Sequence, residues 1–500
     1  MTRSQGSLAL GSIALLLSTT ATFADVTAPQ VWDDWQAMLT ASGEVAVTTG
    51  GKSYENGVLT ITDMAFSAES DGVTTRGNLP QLVLSENGDG SVTVTMSPEQ
   101  TLDISGTDSD GAPFSVGLVI EQTDSVTQVT GSPGALSYAF TAPRMGVRIG
   151  QVTSDTGDTA TGGMVLGNVT GTMQRSVDGS LSTLDYQFAA ERGDLKFSLR
   201  DSEMGNTVDA NGSIADMRSQ AHMTVPEGVD PDDAAAIFAA GFAVDATSNV
   251  GAVEMSFAVT DSGSDGQVAI RMDGAGSHVA VAQESFAYDM SMNGLALDAT
   301  MPDMPFPVSF SAGELGIGLT MPLAPTPGPA PYAARLSLAQ VTVGDDIWDM
   351  LDPGRVIPRD PTTLSVDLSG TATLTQDLFS MSEDMDAPPG LPNSLDINTV
   401  DLAFGGASAH VNGAFTFDTS DLTTFDGVPR PQGSLTATIS GINALMQKLG
   451  QIGLVPPEQA MGVTMMLGMF AVPSGDDQMT STIEITPEGQ ITANGMAMPF

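Results

Sequence analysis

The sequence predicts a mainly β protein: an extended antiparallel sheet or sheets with a few short capping helices. Three observations point there. Runs rich in Val, Ile and Thr alternate apolar and polar residues, as in Val58-Leu-Thr-Ile-Thr62 and Val92-Thr-Val-Thr-Met96, the signature of a half-buried strand. Dipeptides that tolerate positive φ separate such runs, among them Asn56-Gly57, Asp71-Gly72, Asp178-Gly179 and Asn211-Gly212, and read as tight turns. Stretches with helical periodicity are short, so helix is expected in about a fifth of the residues or less, below the usual third.

In chain order, the first residues read as a secretory signal. Arg3 supplies a positive start, Leu8 to Leu17 an apolar run, and Thr22-Phe23-Ala24 a small-residue cleavage site before Asp25. Residues 1–24 are therefore expected to be the signal, and the mature chain to be exported. Neither this run nor a later one reaches the roughly 18 apolar residues of a spanning helix, so no transmembrane span is expected in the mature chain. Thr27-Ala-Pro-Gln30 has the form of a capping box, opening a helix on which Val31, Trp35 and Leu39 share a face. Strands follow at Val45, Val58, Leu82 and Val92, completing a region of residues 25–245 that ends with a helix opened by Asp230-Pro231-Asp-Asp233. Residues 246–335 form a middle β region, closed by a proline-rich linker or loop from Pro322 to Pro331. Residues 336–500 form a C-terminal β region carrying a helical pair, Ile442 to Leu449 and Pro456 to Val472. A second irregular segment runs from Ser380 to Pro392.

One stretch stands out, Gly344 to Gly370. Asp345 or Asp346 can cap a short helix bearing Ile347, Trp348 and Leu351; Asp352-Pro353-Gly354 stops it, and Pro358 and Pro361 keep the chain extended into Leu364-Ser-Val-Asp-Leu368. Arg355, Arg359 and Asp360 beside Trp348 allow two readings. They form a docking site for a partner, or the charges pair locally on a turn while Trp348 packs inward; proline rigidity and an apolar indole favour the second.

Charge excludes several function classes. With 60 acidic against 16 basic residues the net charge is −44, which repels nucleic-acid phosphates and anionic headgroups. Without cysteine there are no disulfides, thiolate metal sites or cysteine nucleophiles. An exported chain that relies on a large core suits a bacterial envelope.

Catalytic and metal patterns are weak. Ala46-Val-Thr-Thr-Gly-Gly51-Lys52-Ser53 fits a permissive phosphate loop, but a hairpin signal follows where a helix is needed. Asp108-Ser-Asp110-Gly111 resembles the middle of a calcium loop whose first and twelfth positions, Gly106 and Gly117, offer no carboxylate. His222, His278 and His410 are isolated in sequence, and no G-x-S-x-G elbow occurs. No catalytic, cofactor or metal residue is assigned, and no cofactor is expected.

The motifs Ile347-Trp348, Asp352-Pro353-Gly354, Pro358-Arg359-Asp360-Pro361, Phe417-Asp-x-x-Asp-Leu-Thr-Thr-Phe-Asp-Gly427 and Gly489-x-Ile-x-x-Asn-Gly495 resemble the alphaproteobacterial family known as domain of unknown function 2125. The N-terminal Val31-Trp-x-Asp-Trp35 is similar to it too. The resemblance implies an exported envelope protein of unassigned activity, and carries no catalytic residues.

The leading expectation is a non-enzymatic periplasmic protein of the cell envelope. Its long sheet would hold an apolar ligand such as lipid, or an envelope partner, on a face left bare. The alternatives are an envelope hydrolase using dispersed carboxylates, and an outer-membrane β-barrel. Aromatic residues at 5% are sparse for the aromatic girdles of a barrel. Among 28 methionines, Met461, Met465 and Met469 belong to the most apolar helix pattern. Apolar side chains cover every side of that helix, so it is expected to be buried against the sheet, with contact to lipid as the rival reading.

Overall fold

The computed structural model describes residues 25–40, 45–70, 72–107, 111–154, 156–202, 204–230, 233–261, 264–302, 304–380 and 388–498. The expected signal, the calcium-like Asp108 to Asp110 and most of the irregular segment after Ser380 lie outside them. The chain is 66% strand and 11% helix. The 27 strands among the described residues join in one sheet, and every ladder in it is antiparallel. Consecutive strands pair almost throughout, giving one long meander. Among the described strands no ladder joins the first, Val45–Thr48 and Gly51–Glu55, to the last, Gln478–Ile485 and Ile491–Ala493, so the sheet is open.

Hairpin chemistry sets the ends of the strands. Asn56 and Gly57 both take positive φ, 52° and 76°, as a two-residue turn demands. That hairpin runs through Lys52 and Ser53, so the phosphate-loop pattern is a strand. Asn211-Gly212, expected as a turn, instead lies inside the strand Thr207–Pro226, with Gly212 opposite Met255. A Cβ on Gly212 would stand 3.1 Å from the Glu254 carbonyl oxygen and 3.2 Å from Met255 Cγ, so this glycine serves close packing. The proline-rich stretch is a loop between neighbouring strands, Val308–Pro322 and Ala330–Val343, anchored by its own buried Ala324. Strands Ala243–Val250 and Ala330–Val343 run through positions 245 and 335.

A line of kinks crosses the meander. Asp63, Asp124, Asn168, Asp216 and Gln340 take φ between 47° and 54°, and Gly294 takes 63°. The ladder registers place these residues at one level from strand to strand. Asp and Asn enter the left-handed region at least cost. Pro80 stands opposite Asp63 and Pro143 opposite Asn168, at gaps in the ladders where no N–H is required. At each kink the alternation slips by one residue, so Ala142 and Met145 share a face, as do Leu166 and Val169. Ala142, Val169 and Ala190 are fully buried along the fold line, with Phe140, Phe188, Met145, Leu166 and Met217 packed against them.

Five α-helices decorate the described sheet. Helix α1 (Ala28–Thr40) lies on the first strands; its Gln30 side chain accepts from the Thr27 N–H at 2.9 Å, one half of the expected capping box. Its buried side is Ala28, Val31 and Trp32, while Leu39, expected on that face, is exposed. Helix α2 (Ala234–Ala239) is capped by Asp233, which accepts from the Ala236 N–H. Helix α3 (Asp345–Leu351) has no side-chain cap, because the cap position falls on Gly344 and the expected caps Asp345 and Asp346 lie in its first turn, Asp345 pairing with Arg359. Helices α4 (Ile442–Gln451) and α5 (Pro457–Phe470) form the expected pair.

Candidate functional site: a bare apolar sheet face

Residues directly opposite each other in an antiparallel ladder point to the same side, so the registers can be followed as rows across the sheet. One row reads Tyr138, Met173, Tyr186, Ala221, Ala246, Val279, Tyr288, Leu319, Ala334, Leu368 and Ile397. Another reads Leu315, Leu338, Leu364, Leu402, Ala409, Ile439 and Met479. Beyond the kinks, Val147, Met164, Leu195, Gly212, Met255, Ile270, Leu297, Phe310 and Val343 make a third. The opposite face is polar, as in Gln187, Gln220, Thr247, His278, Asp289, Gly318, Arg335 and Asp367. At about 4.8 Å per strand, the first row runs for about 48 Å.

What covers the apolar face changes along the sheet. Under α1, Leu59, Ile61 and Leu84 are 0% exposed. Farther on, with no described helix packed over them, Ile317 is 48%, Leu319 41% and Leu402 47% exposed. Residues of the same type on the same face thus differ only in having a cover. A bare apolar surface of this extent is the mark of a ligand or partner site.

The boundaries of this surface are built from specific contacts. At the α1 end, Asp34 accepts from the Tyr138 hydroxyl at 2.6 Å and pairs with Arg175 at 3.0 Å, while Lys52 Nζ sits 5.8 Å from the Trp32 ring. Burial, with Asp34 beside it, pushes the Tyr138 phenol above its usual range. Arg175 lies in a row with Leu184, Met223, Val244 and Val281, and Asp34, with Glu227 at 3.9 Å, neutralises this cation on apolar surface. Across one end of the strands, the Phe238 ring of α2 stacks on Phe379, in the 3-10 turn Leu378–Ser380, with centroids 4.3 Å apart. The Leu378 N–H donates to the Leu323 carbonyl, extending this strap.

At the other end, α3 and its turn hold the charged residues singled out from the sequence. Arg359 pairs with Asp345 at 2.6 Å and with Asp349, and Arg355 with Asp349 at 3.3 Å. Trp348 stacks on Phe404, centroids 6.2 Å apart, and is half-buried. Asp352 is fully buried; the N–H groups of Ile357 and Val356 hold its carboxyl below the usual range. Asp360 is exposed on the same turn. The two arginines thus pair within their own turn, and Trp348 faces the sheet. A Cβ on Gly405 would come within 2.8 Å of Leu445 on α4 and 3.0 Å of Ile357, so this turn, α4 and the Gly405-Gly406 hairpin close on one another.

Helix α5 corrects the sequence reading. None of its residues is buried, and Met461, Met465 and Met469 are 64%, 67% and 60% exposed. The half-buried Ala460, Val463, Leu467 and Phe470 face inward, and packing against α4 leaves the methionine side open. Apolar content all round the helix is not enough to bury it, because the sheet and α4 offer cover for one side only.

The three histidines each meet a carboxylate on the polar face: His222 with Asp185 at 2.7 Å, His278 with Asp245 at 3.1 Å, His410 with Asp401 at 2.5 Å. Among the described residues no three His, Cys, Asp or Glu side chains are grouped to hold a metal. Acids with displaced pKa values, such as Asp89, Asp158, Asp194, Asp401 and Asp421, are all shifted downward by local hydrogen bonds and lie on different turns and strands. No described helix is long and apolar enough to cross a membrane.

Fold and site together define the class: a long open antiparallel meander with one polar face and one apolar face largely uncovered. Residues 247–495 match the model of a family described as uncharacterized protein conserved in bacteria, DUF2125, and the resemblance read from the C-terminal motifs holds over that half of the chain. Val31 to Trp35 lie outside the match. No curated protein and no solved structure matches the chain.

Proposed function

We propose that the protein holds the hydrocarbon chains of lipids against the bare face of its sheet, as a non-catalytic periplasmic component of the cell envelope. The observation that carries this reading is the contrast between Leu59 and Leu84 under α1, at 0%, and Leu319 and Leu402 without cover, at 41% and 47%. Water against rows of this kind costs roughly 25 cal/mol per Å2, so an acyl chain laid along them is stabilised without any polar recognition. The row length, about 48 Å at the usual strand spacing, exceeds one acyl chain and suits several side by side.

The test is native mass spectrometry of the protein purified from its own envelope, beside the double variant Ile317→Asp/Leu402→Asp. Both positions are already half in water, so the variant is expected to fold with a melting temperature near that of the parent. Co-purifying lipid in the parent and its loss from the variant support the reading. A parent protein free of lipid, which also takes up none from vesicles, would refute it.

A further inference from the structure

We infer that α5 is the element by which the protein docks on a zwitterionic lipid bilayer, lying in the interface beside the bare sheet face. This rests on the lipid-holding reading and adds the place and the kind of surface. At about 100° per residue, Met461, Met465, Met469 and Met466 fall within an arc of about 140°. Gly462 and Gly468 lie within or beside that arc, and Ala460, Val463, Leu467 and Phe470 occupy the opposite, half-buried side. From Met461 onward the helix therefore presents one apolar face outward, with the exposed Glu458 in line with it in the first turn.

Charge narrows the occupant. From Gln459 to Gly475 the chain carries no ionisable side chain, whereas the whole protein carries −44. Anionic headgroups are repelled by such a body, and α5, whose one ionisable side chain is Glu458 in its first turn, offers them no compensating cation; a zwitterionic surface meets neither penalty. Length narrows it too. Fourteen residues reach about 21 Å, short of the roughly 30 Å hydrocarbon core, so the helix lies in the interface and does not span. Methionine side chains adapt to irregular apolar surroundings better than branched ones do.

Position supplies the remaining argument. The Phe470 carbonyl, at the end of α5, accepts from Ser481 Oγ at 2.5 Å and from Asn494 Nδ2 at 2.9 Å. Ser481 stands opposite Ala437, in the row that continues through Val411, Val400 and Val366 of the apolar face. The helix is thus tied to the edge of that face, and a chain leaving the bilayer at α5 meets the row directly.

The experiment is flotation of the full mature chain with phosphatidylcholine vesicles. The parent is compared with Met465→Asp/Met469→Asp and with Met204→Asp/Met350→Asp, which places equal charge at two equally exposed methionines elsewhere. The bound fraction is expected to fall about tenfold in the α5 variant and to stay within about twofold in the control. Adding anionic lipid to the vesicles should weaken binding of the parent. Equal binding by all three proteins, or absence of binding by the parent, overturns the assignment. So does a parent that sediments as a dimer and becomes monomeric in the α5 variant, since the helix would then receive a second copy of the chain. Lipid carried by the purified protein is scored separately: a protein that binds vesicles through α5 yet carries no lipid would sink the holding reading and leave the docking one standing.

Discussion

The rings of Phe238 and Phe379 stack at 4.3 Å, although the strands flanking them, Ala243–Val250 and Thr362–Leu374, are five ladder steps apart. Across a flat sheet five steps span about 24 Å. The two connecting loops therefore meet over the ends of the intervening strands and tie distant parts of the meander together.

Phe379→Ala should release this tie while leaving the ladders intact. The expected cost is about 1–2 kcal/mol, the stacking and part of the burial of one ring. Hydrogen exchange would show it as faster exchange at Leu378 and through α2. Uniform protection loss over the whole sheet would mean that the strap holds the fold itself.

Asp34→Ala should detach α1 locally. It leaves the Tyr138 hydroxyl without its acceptor and the Arg175 guanidinium with only the longer contacts to Glu227 at 3.9 Å and Ser182 at 3.4 Å, at a cost of about 1–3 kcal/mol. Asp34→Asn keeps an acceptor for Tyr138 and should cost less. Denaturant midpoints followed through Trp32 and Trp35 fluorescence rank the two variants; the reverse order would show that the hydroxyl bond is irrelevant.

Asn168→Val probes the line of kinks. A β-branched residue at φ 51° is strained by about 1–3 kcal/mol, whereas Asn168→Gly loses only the side-chain bond to Glu191. Thermal unfolding should separate them by several degrees. Equal melting temperatures would mean that the kink relaxes without cost.

Asp421 gives a pH dependence. Its carboxylate accepts from the Thr424 hydroxyl and from the N–H groups of Thr424 and Thr423, which lower its pKa from 3.8 to about 2. A folded pKa below the unfolded one adds stability that is complete above the unfolded value and is lost as pH falls through the folded one. The turn should therefore hold at pH 4 and loosen toward pH 2. NMR amide shifts of Thr423 and Thr424 would report this, and Asp421→Asn should abolish the transition.

Much of the fold was legible because strand alternation and turn chemistry are local. Val58 to Thr62 and Asn56-Gly57 announce a hairpin without reference to the rest of the chain. The Asn211-Gly212 turn failed because a dipeptide that permits positive φ does not require it, and the ladder with Val253–Asp261 supplied hydrogen bonds that a turn would forgo. The apolar face was foreseeable as a kind of surface. Its rows were not, since Leu315, Leu364 and Ile439 come together only through register. For α5, composition described the helix correctly but carried no information about how much cover the neighbouring elements provide. The kinks did leave a trace. Apolar residues three apart, where strict alternation would place them two or four apart, recur in the sequence itself at Ile61/Met64, Leu79/Leu82, Met292/Leu295 and Ala312/Leu315.

Because the kinks of neighbouring long strands sit at one level, the hairpins from Ala135–Thr153 to Thr207–Pro226 share one cross-section. Strands Thr159–Asp178 and Leu181–Arg200 could be excised together: Ala135–Thr153 and Thr207–Pro226 would then lie side by side, antiparallel, with Ala142 facing Met217, and their free ends, already at the same edge, could be joined by a short loop. Insertion of such a pair works the same way in reverse. The length of the molecule is thus a quantity that can change in whole hairpins, through duplication or loss of about forty codons, with the character of both faces preserved at every step.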